Sequence, residues 1–133
     1  FDAADTLSLS LSLLPPMFLS LQWNRAHMRP AVEGGFLNAT DLADYLVKKG
    51  IPFREAHAVV GRLVRTAAER GVGLTELPLS EMQAACPQIG EDVYAALSLD
   101  ACLAARDVAG GTAPKRVVEA IRAARERVAR ALS

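Results

Sequence analysis

Leu7-Ser8-Leu9-Ser10-Leu11-Ser12-Leu13-Leu14-Pro15-Pro16-Met17-Phe18-Leu19-Ser20-Leu21 can be read in two ways, and the choice decides the fold class. Strict alternation from Leu7 to Leu13 is the period of a strand. The same run sets Leu7, Leu11, Leu14, Phe18 and Leu21 at i, i+4, i+7, i+11 and i+14, one face of a helix. That ladder continues past the alternating part, so only the helix accounts for the whole run, although periodicity by itself does not exclude the strand. Leu9, Leu13 and Met17 widen the apolar surface beyond one stripe, which suits a helix surrounded by other helices. Pro15 and Pro16 each lack an amide hydrogen and crowd a carbonyl one turn back, so a kink or break is expected there. The serines, prolines and Gln22 make the run from Leu7 to Trp23 a poor membrane span.

Outward from this run the punctuation is helical. The segment resumes through Trp23, His27 and Met28 and is expected to end near Pro30, ahead of Gly34-Gly35. Asn38 or Thr40 can cap the next helix, Asp41 suits its first turn, and Lys48-Lys49-Gly50 closes it. Pro52 opens another, with Phe53, Ala56, His57, Val60, Leu63, Val64 and Ala67 as its apolar face until Gly71. These two form a tight αα-hairpin. Between Gly73 and Ala109 the pattern shortens: a turn capped by Ser80, a turn near Glu91 to Ala96, and a helix from Ser98 to Asp107. Thr112 is expected to cap a last helix whose Val117, Ile121, Ala124, Val128 and Ala131 face inward.

Composition limits the partners. Of 133 residues 51% are hydrophobic, enough for one core, and 15 basic side chains balance 15 acidic ones. No net field exists to hold nucleic acid or an acidic membrane, and the arginines of the last helix are matched locally by Glu119 and Glu126. Cys86 and Cys102 are too few for a disulfide scaffold and read as two buried thiols in a reducing, cytoplasmic setting. The start at Phe1, with neither Met nor a basic segment ahead of an apolar stretch, reads like a chain cut in the middle.

The inventory for catalysis is thin. His57 falls among apolar positions and reads as a core histidine; Asp41 and Asp44 read as carboxylates stabilised by free helix amides, with Tyr45 within reach of Asp41. Gly110-Gly111-Thr112-Ala113 precedes a helix, yet it lacks the Lys-Ser/Thr of a P-loop and reads as a loop with a cap. These residues imply no catalytic site, no metal site and no cofactor site.

The stretch Ala39-Thr40-Asp41-Leu42-Ala43-Asp44-Tyr45-Leu46-Val47-Lys48-Lys49-Gly50-Ile51-Pro52-Phe53-Arg54-Glu55-Ala56-His57 resembles the segment that begins the small C-terminal domain of argininosuccinate lyases. Phe1-Asp2 through Asp5-Thr6 is similar to the start of that family's last long bundle helix, and Gly110-Gly111-Thr112-Ala113 to its terminal GGTA, so the resemblance covers the chain. It implies an all-α fold: residues 1–35 as the last long helix of a central bundle, kinked near 15–16, and residues 36–133 as a small helical domain. It also implies the helical alternative for the leucine run.

For function the resemblance implies reversible cleavage of argininosuccinate to arginine and fumarate, in arginine biosynthesis, by a cytoplasmic homotetramer that uses no cofactor. The family's GSSxMPxKxN serine loop and the associated histidine segment are not in this sequence, so no catalytic residue carries over. Partners are then other copies of the chain and an upstream part of the polypeptide, with no nucleic acid or membrane. Packing residues are Leu7, Leu11, Leu14, Phe18 and Leu21 for assembly, and Leu42, Phe53, His57 and Val60 for the domain. Each buried Leu contributes roughly 1.5–3 kcal/mol, so an exposed row drives association. The competing readings are a helical interaction or regulatory module, or a crystallin-like structural protein, derived from the lyase.

Overall fold

In the computed structural model the leucine run is a helix, α1, Asp2–Ser20. Two of the serines that suggested a strand serve the helix instead: the hydroxyls of Ser10 and Ser12 donate to the carbonyls of Thr6 and Leu9 at 2.8 and 2.7 Å, as Ser20 does to Met17 at 3.0 Å. A serine that bonds back to the preceding turn keeps its polar group satisfied without leaving the helix. The structure describes residues 1–133, with the side chain of Glu33 outside the description.

The helix is not broken at Pro15-Pro16; the break comes after Ser20. Helix α1 runs through both prolines and stops at Ser20, where Leu21 turns to extended backbone. The prolines remove the amides that would reach the Leu11 and Ser12 carbonyls. No residue of α1 is buried, so water can take those carbonyls and the helix tolerates the loss. The chain restarts as α2, Arg25–Glu33, bent by 103° from α1. Asn24 starts it, its Oδ1 accepting the His27 amide at 3.3 Å. Helix α2 also passes through Pro30, three residues beyond the expected end. Residues 1–31 form one compact unit and 32–133 another. Among the described residues no single helix is long and apolar enough to cross a membrane.

The second unit is built on α3, Ala39–Lys48, and α4, Phe53–Arg70. Both end as their glycines predict. Gly50 has φ +91°, its amide donates to the Val47 carbonyl, and the Ile51 amide donates to that of Leu46. Gly71, at φ +67°, repeats the arrangement with Ala68, and Val72 with Ala67. Against this hairpin pack a 3₁₀ turn, Leu74–Glu76, and two short helices, α5, Leu79–Ala85, and α6, Asp92–Ala96, while a third, α7, Leu99–Ala104, packs on α6. Helix α8, Pro114–Ala131, closes the chain. The described residues contain no strand.

The core joins Leu42 and Leu46 of α3, Ala56, Val59, Val60, Leu63 and Ala67 of α4, and Leu74, Leu77, Met82, Ile89, Val93 and Leu97 from the shorter pieces. Cys86 and Cys102 are buried and unbridged. The expected apolar face of α4 is therefore turned by part of a helical step. Phe53 is 62% exposed and His57 is exposed, so neither is a core residue of this chain. Their rings meet at the surface, 6.2 Å between centroids. The inward stripe instead runs Ala56, Val59-Val60, Leu63 and Ala67, packed against α3.

Candidate functional site

Polar side chains converge at three places in the second unit, and each fastens one element to another. The first centres on Asp41, whose carboxylate lies 65 residues from the guanidinium it meets. Both oxygens of Asp41 accept from Arg106, Oδ1 from Nη1 and Oδ2 from Nη2 at 3.2 Å, and Nη1 also donates to the Cys102 carbonyl at 2.8 Å. Asp41 is therefore not simply a carboxylate stabilised by free helix amides. Its side chain is only 8% exposed, and a buried charge of this kind requires a fixed counter-charge. The pairing holds the Arg106 guanidinium above its ordinary pKa. Burial, and secondarily the Asp41 carboxylate, push the neighbouring Cys102 thiol up to about 11.

The second cluster is organised by Tyr45, which does not pair with Asp41. Its hydroxyl donates to Asp92 Oδ1 at 2.7 Å and accepts the Gly90 amide at 3.1 Å. Lys49 Nζ donates to the same Asp92 oxygen at 3.0 Å and stands 4.8 Å from the Tyr45 ring centroid. Hydrogen bonds from Tyr45 first and Lys49 second hold the Asp92 carboxyl below its ordinary range, and the Lys49 ammonium is raised by Tyr45 and Asp92 in turn. A Cβ at Gly90 would lie 2.5 Å from Asp92 Oδ1, so a side chain at this position would displace the Asp92 carboxylate from the cluster.

The third surrounds Asp107, which takes Arg116 Nε at 2.7 Å on one oxygen and Lys115 on the other. Arg116 also reaches Glu119 at 3.0 Å. Lys115, then Arg116, hold the Asp107 carboxyl below its usual value. Immediately before this helix the GGTA segment is a tight turn. Gly110 has φ +77°, and a Cβ on Gly111 would stand 2.1 Å from the Arg106 carbonyl oxygen. That carbonyl accepts the Ala113 amide at 3.3 Å. Ala113, not Thr112, is the N-cap, with Pro114 at the first helical position.

Helix α8 departs from expectation: none of its residues is buried, and Val117, Ile121 and Val128 are exposed instead of facing the core. A depression of ≈ 290 Å³ along it is lined by Val118, Ile121, Arg122, Arg125 and Glu126, all from this one helix. The other predicted packing residues divide. Leu42 and Val60 lie in the core, Phe53 and His57 at the surface, and Leu7, Leu11, Leu14, Phe18 and Leu21 are exposed on the first unit.

Catalysis requires a base, acid or nucleophile converging on a cleft. The three clusters consist of ion pairs and hydrogen bonds between elements, and among the described residues no group of three or more His, Cys, Asp or Glu side chains is arranged to hold a metal ion. Nothing local in the sequence relates Asp41 to Arg106 or Tyr45 to Asp92, which lie 65 and 47 residues apart.

The model of the family described as "Argininosuccinate lyase C-terminal" matches residues 36–104. The chain is also similar along its length to curated argininosuccinate lyases: 52% identical to that of Thiobacillus denitrificans over 96% of this chain, 49% to that of Desulforudis audaxviator over 98%, and 48% to that of Pelotomaculum thermopropionicum over 96%. It spans 28% of the length of each of these relatives.

Proposed function

Because the chain belongs to the argininosuccinate lyase C-terminal family, we propose that it is the carboxy-terminal part of an enzyme that reversibly cleaves argininosuccinate to arginine and fumarate. In this reading proton removal and protonation of the departing nitrogen belong to residues upstream of Phe1. The present residues supply packing and a domain that flanks the active-site cleft. The complete enzyme is a cytoplasmic homotetramer in which α1 is enclosed by helices of other copies.

One observation supports this division of labour above the others. Helix α1 presents Leu7, Leu11 and Phe18 at 60, 58 and 62% exposure and buries nothing of its own. A helix apolar on most of its circumference is stable only when enclosed.

The test has two parts. The chain alone should release no fumarate from argininosuccinate by absorbance, while the complete polypeptide should. In sedimentation the chain alone should associate, and Leu11→Asp with Phe18→Asp should shift it toward monomer. Turnover by the chain alone, or a stable wild-type monomer, would sink the reading.

A further inference from the structure

Helix α8 is attached at one end. None of its side chains is buried, whereas Ala113 at its start is 1% exposed. Arg106 and Asp107, separated from the GGTA turn by Val108-Ala109, face different partners. Arg106 is bonded inward to Asp41 of α3, and Asp107 is bonded outward to Lys115 and Arg116 in the first turn of α8. The Arg106 carbonyl also receives the Ala113 amide. One dipeptide thus carries both the anchor to the core and the grip on the helix.

We propose that Arg106-Asp107 is an electrostatic hinge that sets the direction of α8, with a salt-resistant inner clamp at Asp41–Arg106 and a salt-sensitive outer clamp at Asp107. The difference follows from exposure. In the inner pair Asp41 is 8% and Arg106 40% exposed, so one partner is withdrawn from solvent, whereas in the outer cluster Asp107, Lys115 and Arg116 are 34, 62 and 36% exposed. Exposed pairs are screened by salt and buried ones much less. Releasing the outer clamp lets the first turn of α8 open while α3 and α4 stay closed; releasing the inner one frees the turn and helix together.

Hydrogen exchange followed by mass spectrometry on the complete polypeptide tests this. Asp107→Asn should speed exchange of the amides of Val117 to Glu119 about three- to tenfold, as loss of exposed ion pairs allows, with α3 and α4 unchanged. Wild type in about 1 M salt should approach the variant, the variant, which keeps the Arg116–Glu119 pair, should respond to salt less than wild type does, and Asp107→Glu should restore slow exchange. Asp41→Asn should extend the fast region back to Gly110. Equal exchange in wild type and Asp107→Asn, no salt effect on wild type, or acceleration that includes α3 and α4 would each overturn the hinge.

Discussion

The Tyr45 hydroxyl joins α3 to the start of α6 by donating to Asp92 at 2.7 Å while accepting the Gly90 amide at 3.1 Å. Tyr45→Phe removes both bonds and strands the amide beneath a ring that is 8% exposed. The variant should unfold at lower urea concentration with an unchanged slope. Combined with Asp92→Asn, the loss should be smaller than the sum of the two single losses, since both variants break one shared bond. Strict additivity would show that the hydroxyl and carboxylate act apart.

Acid should expose the same contact. The folded Asp92 carboxyl lies below its ordinary value of 3.8, so its contribution is complete above that value and is lost as pH falls through the lower, folded one. Wild type and Asp92→Asn should therefore differ in urea midpoint at about pH 5, and the gap should narrow as pH falls below the ordinary value of 3.8. A gap that persists into acid would assign the effect to shape instead of charge.

Core and surface on the hairpin should separate cleanly. Leu42 is fully buried, and Leu42→Ala should cost about 2–5 kcal/mol in denaturant unfolding. Phe53→Ala and His57→Ala, at the exposed ring pair, should each change the stability of this chain by about 0.5 kcal/mol or less. Large losses at Phe53 or His57 would return them to the core.

Cys102 should be inert when folded. Its thiol is raised to about 11 by burial and then by Asp41, so little thiolate exists near neutrality. Iodoacetamide at about pH 8 should leave it unmodified in the native chain and alkylate it in urea, as read by peptide mass. The sign for stability follows: the contribution is whole below the ordinary value of 9.0 and is lost as pH rises through about 11. Rapid native alkylation would contradict this placement.

What could be read from the sequence was local. The stops of α3 and α4 are legible because Gly50 and Gly71 adopt the left-handed backbone that ends a helix, whereas the cap expected from Asn38 or Thr40 forms no side-chain bond to the helix start. Ser98 was legible for a similar reason, its hydroxyl accepting the Ala101 amide at 3.3 Å. The leucine run needed more than periodicity, since serine hydroxyls bonded to their own helix leave the same alternation as a strand. Distance in sequence hid the rest. Asp41 looks complete at a helix start until Arg106 is brought to it, and the apolar positions of α8 look inward-facing until the fold supplies nothing for them to face. His57 was misplaced by a smaller margin, one position off a stripe that Ala56 and Val60 occupy.

Gly111 leaves 2.1 Å between an imagined Cβ and the Arg106 oxygen. Exchanging a single hydrogen for a methyl at this position would prise the crossing strands of backbone apart, and with them the fixed point from which the final eighteen-residue rod takes its bearing. The smallest side chain in the segment is thus the pivot on which its longest excursion turns.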